Sequence, residues 1–174
     1  GGNSVAASDI CSQEGLDMTM LAPETSEKLR EFIPDAGNSV GNPVDLSFMA
    51  NLRDKQQQAA NLVTSDPSVD FLLMTPSLNE YLNVTNEPEK TVATDFADIA
   101  RTNSNGKPLV ILLPVRIRDP RIKMDYQKLQ KEFASAGLLA FTSLRRACER
   151  YPSSFRIMHN RHRSRDNKVT YRPS

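Results

Sequence analysis

Two short segments hold the residue types from which phosphate chemistry could be built. Gly1-Gly2-Asn3-Ser4 leads directly into a helical pattern. Paired glycines let a backbone approach a ligand closely, and the free N–H groups of a helix N-terminus favour a phosphate. The second segment is Ser39-Val40-Gly41-Asn42-Pro43-Val44-Asp45-Leu46. Pro43 restricts Asn42 to an extended conformation, so Asn42 and Asp45 offer polar groups from a stiff loop. Spacing alone leaves a plainer reading open for each. Two glycines also make a turn, and Asp45 also suits the approach to a helix.

The other reactive side chains are scattered. His159 and His162 are the two histidines, and a zinc site needs three or four ligands. Cys11 and Cys148 lie far apart without a CxxC spacing, which excludes a disulfide framework and a cysteine-rich zinc site. Cys148 falls on an apolar stripe and reads as core. No metal site is expected in this chain.

Charge divides the sequence in two. From Arg145 onward there are nine basic residues against Glu149 and Asp166, a net of +7, whereas the rest holds 13 basic and 19 acidic residues, a net of −6. This is the pattern of a body with a separate tail. Tyr151, Phe155 and Tyr171 interleave with the tail arginines, so a single-strand nucleic-acid surface is one reading. A solvated basic linker is the other, and basic runs favour it.

The elements that must position these residues follow from periodicity. Helices are expected over Asn3–Glu14, Pro23–Ile33, about Ala50–Thr64, Thr91–Arg101 and Ile122–Ala136, with a last one from an N-cap at Ser143 to Tyr151. Strands are expected over Asp17–Leu21, Phe71–Thr75, Leu109–Leu113 and Leu139–Phe141. Gly15 and Gly137 serve as helix stops. Residues 76–88 read as a polar loop ending at Pro88. Strands alternating with helices imply an α/β domain with a parallel sheet covered on both faces. Apolar residues make up 39% and charged residues 25% of the 174, which excludes wholesale disorder. No apolar run approaches the roughly 20 residues of a membrane span, so no membrane partner is expected. With cysteines so sparse and no signal region at the start, a reducing, cytoplasmic setting is expected.

Five segments, in order, resemble the NDP-forming acyl-CoA synthetases of the succinyl-CoA synthetase superfamily. GGNSVAASDICSQEGLDMTML is similar to that family's GG-x-G-V-x-x-x-D segment, and SVGNPVDL to its G-N-P-V-D segment. Ser65 to Leu73 resembles the D-P-x-V-D plus hydrophobic strand. Gly106-Lys107-Pro108-Leu109-Val110 resembles G-K-P-V-V, and Gly137 to Ala147 the closing G-V-P-x-F-x-S-x-x-R-A. The resemblance runs from Gly1 to about Tyr151.

The resemblance implies a flavodoxin-like three-layer α/β/α domain over residues 1–151, followed by a basic linker over 152–174. In this family a carboxylic acid is joined to CoA at the expense of ATP or GTP, through an acyl-phosphate and a phosphorylated histidine, with Mg2+. This chain resembles the second flavodoxin-like domain, partnered by CoA-binding, phosphohistidine-bearing and ATP-grasp domains or subunits. Gly1, Gly2, Asn3 and Ser4 would then bind phosphate, and Asn42, Pro43 and Asp45 would border the phosphohistidine loop. The family's Ser-His-Thr-Gly-type segment is not in this sequence, and Ser4 stands where the family has glycine. No catalytic residue is therefore expected within the chain itself. A rival reading is the same domain fused to an acetyltransferase, sensing acyl-CoA or nucleotide. The resemblance also implies that the first strand of the sheet would lie ahead of Gly1. A gap is then expected between Met18–Leu21 and Phe71–Thr75.

Overall fold

The structure, a computed structural model, describes residues 2–34, 37–46, 53–78, 81, 85–103, 105–113 and 125–146. Their order is α1 (Gly2–Gln13), α2 (Pro23–Arg30), α3 (Arg53–Ser65), β1 (Leu72–Met74), α4 (Pro88–Thr102), β2 (Leu109–Leu112), α5 (Tyr126–Ser135) and β3 (Leu139–Phe141). The strands are parallel and ordered β1-β2-β3, with Leu73 opposite Val110 and Ile111 opposite Ala140.

Alternation along the strands places the layers. Met74, Leu109, Ile111, Leu113 and Ala140 join the core beneath α4 and α5, around Phe96, Leu129 and Phe133. Leu73, Leu112 and Phe141 point the other way, toward Cys11 of α1, Leu16 and Leu144. A third cluster joins Leu29 and Ile33 to Ala59 and Val63 of α3 and to Val69. Apolar side chains on both faces are what a covered parallel sheet requires. The result is the expected three-layer α/β/α domain.

Helix ends follow local chemistry. At α1 the Leu16 amide donates to Cys11 O at 2.9 Å and the Gly15 amide to Ser12 O at 3.2 Å, with Gly15 at φ 74°. At α5 the Leu138 amide donates to Phe133 O and the Gly137 amide to Ala134 O, with Gly137 at φ 78°. Both are Schellman stops, and each brings a leucine after the glycine onto the core residue that receives its bond. Asp125 caps α5, its carboxylate accepting from the Gln127 and Lys128 amides. Ser143 Oγ accepts from the Arg146 amide at 3.4 Å where a helical turn opens at Leu144.

Two expectations need correction. Helix α4 begins at Pro88 and not at Thr91, because proline fits the first helical position, where its missing N–H costs nothing. Residues 16–22, which contain the expected strand Asp17–Leu21, belong to no strand. A strand exists through its ladder, and among the described residues no extended neighbour lies alongside this segment. The sheet therefore has three strands where four were expected. The expected residues of α5 before Asp125, and those after Arg146, lie outside the described residues.

Phe133 is fully buried and meets the Phe96 ring edge-on, centroids 6.2 Å apart at 80°. Phe133→Ala should cost about 3–5 kcal/mol, measured by urea unfolding. Leu139→Ala, at a half-exposed strand position, should cost far less.

Candidate functional site

The site is built where the sheet is left open. Among the described residues β1 pairs only with β2, and a cleft of about 570 Å³ lies beside it. One rim of the cleft is β1 itself and the opposite rim is the segment from Leu16 to Leu21. Ala7, Ser8 and Cys11 of α1 form one wall, and Gln56, Ala59, Ala60 and Val63 of α3 contribute the other. Asn42, Pro43, Val44, Asp45 and Leu46 line it as well.

The loop carrying Asn42 and Asp45 is tied at both ends. Ser39 and Asp45 form an antiparallel bridge in which the Asp45 amide donates to Ser39 O at 2.8 Å. Ser39 Oγ accepts from the Gly41 amide at 3.3 Å. The Asn42 side chain donates to Thr19 O at 2.9 Å, which anchors the loop to the rim. The peptide between Asn42 and Pro43 is cis. Asn42, Pro43 and Asp45 thus share one cleft, with Thr19 beside Asn42. Gly1 lies outside the described residues, and Gly2, Asn3 and Ser4 occupy the first turn of α1. The cleft meets α1 further along, at Ala7, Ser8 and Cys11.

A buried carboxylate, in the segment Ser65 to Leu73, holds the rims together. Asp66 is 1% exposed. Its Oδ2 accepts from the Ala22 amide at 2.7 Å, and its Oδ1 accepts from the Ser68 amide at 2.9 Å and hydroxyl at 2.6 Å. The Ser68 hydroxyl also contacts Met20 O at 3.1 Å. The Lys107 ammonium donates to the Asp66 carbonyl. One residue therefore joins the end of the first rim, the turn before β1 and the approach to β2. Burial would raise the Asp66 carboxyl, but hydrogen bonds from Ser68, Thr25 and Ala22 outweigh it and hold it below the usual range. The signal in the sequence was Ser65-Asp66-Pro67-Ser68, since Asp bonding the amide two residues on is an Asx turn.

Glu89, 5% exposed at the start of α4, does the same between helices. It accepts from the Asp125 amide at 3.1 Å and pairs with the Lys128 ammonium at 3.2 Å. Burial opposes its ionisation, yet hydrogen bonds from its own amide, Asp125 and Lys128 keep its carboxyl below the ordinary value. Tyr81 is driven the other way, upward, by burial and then by the charge of Asp95. It stays a phenol at neutral pH. Among the described residues no group of three or more His, Cys, Asp or Glu side chains could hold a metal ion. His159, His162, Cys148 and the tail lie outside the described residues, and among those described no helix is long and apolar enough to cross a membrane.

Parallel strands, helices on both faces and a cleft along one sheet edge define a three-layer α/β domain. The family model for the Ligase-CoA domain matches residues 1–117. The chain belongs to that family, the Ligase-CoA domain of the NDP-forming acyl-CoA synthetases. It is 34% identical over 79 residues to the ADP-forming acetate–CoA ligase I of Archaeoglobus fulgidus, a match covering 44% of this chain and 11% of that protein. The crystal structure of PH0766 from Pyrococcus horikoshii OT3 superposes with a TM-score of 0.62 at 23% identity, covering 82% of this chain and 30% of that one. That likeness concerns the fold. The chain thus spans a small part of the length of both.

Asp66→Ala should destabilise the domain by about 1–3 kcal/mol, because it leaves the half-buried Ala22 and Ser68 amides without their acceptor. The pH dependence has a fixed sign. Both Asp66 and Glu89 have folded values below their ordinary ones of 3.8 and 4.5. As pH falls through that range the unfolded chain takes up protons first, so the stabilisation present above it is lost. Urea midpoints should therefore decline below about pH 4.5, the ordinary Glu value, and Asp66→Asn should flatten that decline.

Proposed function

We propose that this chain is the docking domain for a phosphohistidine loop in a nucleotide-dependent acyl-CoA synthetase. The whole enzyme would join a carboxylic acid to CoA. ATP or GTP would phosphorylate the histidine, the carboxylate would take the phosphoryl group, and the CoA thiolate would displace phosphate from the acyl-phosphate. The reading is carried by the family match over residues 1–117, which includes both Gly1–Ser4 and Asn42–Asp45. It is supported by the loop geometry, which presents Asn42, Pro43 and Asp45 along one cleft.

Within this scheme Gly1, Gly2, Asn3 and Ser4 bind the incoming phosphoryl group, which the N–H groups of the first turn of α1, opened by Gly2, suit. Asn42 and Asp45 border the approach. The histidine, the CoA site and the nucleotide and Mg2+ sites belong to other domains of the enzyme. Residues 152–174 serve as the basic linker toward them. The 34% identity to an ADP-forming acetate–CoA ligase favours an acyl-CoA synthetase over a pure sensor.

Asp45→Ala, placed in the complete synthetase, tests this. The Ser39–Asp45 bridge uses backbone atoms and does not need the carboxylate, and the thermal midpoint is measured beside turnover. Phosphohistidine formation from nucleotide, or its discharge to the acid, should slow by at least about tenfold, the scale of a lost positioning contact. Phosphoryl turnover at the parent rate would leave Asp45 with a turn role only.

A further inference from the structure

We infer that Ser68 is a positioning residue for the Asn42–Asp45 loop, acting through the backbone of Thr19 and Met20. Its consequence for phosphoryl transfer rests on the phosphohistidine reading above, whereas the mechanical link does not.

The rim between Leu16 and Leu21 has little of its own to hold it at residues 19 and 20. It belongs to no strand, so no ladder fixes it. Leu16 and Leu21 are buried at its two ends, whereas Met20 is 87% exposed. An exposed side chain adds almost no packing, so the backbone there is placed by hydrogen bonds. These come from two sides. Asn42 Nδ2 donates to Thr19 O at 2.9 Å, from the loop. The Ser68 hydroxyl donates to the next carbonyl, Met20 O, at 3.1 Å, from the turn before β1. Thr19 Oγ1 reaches the same oxygen at 3.5 Å, but from within the segment, and so gives it no outside hold.

Ser68 is itself fixed. Its hydroxyl also donates to Asp66 Oδ1 at 2.6 Å in a three-centre bond, and its amide donates to that oxygen at 2.9 Å. Asp66 Oδ2 takes the Ala22 amide at 2.7 Å, two residues beyond Met20. The carboxylate therefore holds the end of the rim and orients the hydroxyl that holds its middle. Removing the hydroxyl leaves the Ala22 bond in place but frees Met20 O, and with it the neighbouring carbonyl that receives Asn42. The Ser39–Asp45 bridge closes the loop on itself, so a shift of the rim at Thr19 carries Asn42 and Asp45 together. Ser68, Thr19, Asn42 and Asp45 all line the one cleft. Ser68 occupies the open position of the D-P-x-V-D pattern, to which the resemblance gives no role.

The test uses the complete synthetase as parent, Ser68→Ala, Ser68→Thr, Asn42→Ala and the Ser68→Ala, Asn42→Ala double variant. Two quantities are read. One is exchange of the Asp45 amide, which donates to Ser39 O. The other is phosphorylation of the histidine by nucleotide, as kcat and KM. The Leu138 amide, bonded to Phe133 O at the end of α5, is the control for general loosening. Ser68→Ala should speed Asp45 exchange by about threefold to tenfold, the scale of one lost hydrogen bond, and leave Leu138 unchanged. kcat should fall by a similar factor at unchanged KM, because the nucleotide site would lie in other domains. Ser68→Thr keeps the hydroxyl and should match the parent. The double variant should lose no more than the weaker of its two single variants, since both act on one contact. Parent exchange at Asp45 in Ser68→Ala would overturn the proposal, as would an equal rise at Leu138. So would a Ser68→Thr variant as impaired as Ser68→Ala, or losses that add in the double variant. Faster Asp45 exchange with phosphorylation at the parent rate would uphold the link from Ser68 to the loop and count against the phosphohistidine reading instead.

Discussion

A β-strand carries hydrogen-bonding groups along both edges, and the architecture here is organised around the edge of β1 that β2 does not use. Secondary structure on the far side of the sheet is closed in the ordinary way, with β2 between two partners and α4 and α5 packed over it. On the near side, the layers continue past the last strand. α1, α3 and the segment from Leu16 to Leu21 all line the cleft beside β1. A helix pair that overhangs a sheet edge exposes apolar wall, and the cost of that exposure is what gives the cleft its character.

Asp66 is the device that keeps the two rims in place without a ladder to hold them. Its carboxylate spans the end of the first rim and the turn before β1, while its carbonyl receives Lys107 from the approach to β2. Three bonds to one ionised group, each made to a donor that burial would otherwise strand, substitute for the regular backbone bonds of a strand pair. Near α5, Glu89 plays a comparable part through Asp125 and Lys128, locking the start of α4 to the cap of α5. Both carboxylates lie at joints between elements. That location explains why their ionised forms are favoured despite burial.

Much of this was legible in the residues. The continuous apolar runs Phe71–Thr75 and Leu109–Leu113, the period of Leu129 and Phe133, and the glycines at 15 and 137 each report a local constraint, and local constraints survive in a sequence. The strand Asp17–Leu21 was misjudged for the opposite reason. Its composition suits a strand, but pairing is a property of two segments, and the second is not among the described residues. Asp66 makes the Asx turn with Ser68 that Ser65-Asp66-Pro67-Ser68 allows. Its reach to Ala22, 44 residues away, has no local signature. In the same way Asn42 and Asp45 were recognisable as a stiff polar loop, whereas the bond from Asn42 to Thr19 depends on how the chain folds back.

The two family segments therefore differ in how they are supported. Asn42, Pro43 and Asp45 sit in a loop closed by its own bridge and bonded to the rim, so their position follows from contacts already made within the chain. Gly2 to Ser4 open α1, and α1 is held by Cys11 and Leu16 against Leu112 and Leu144, together with the Glu14–Arg145 ion pair at 2.8 Å. All of these contacts lie at the C-terminal half of the helix or beyond it.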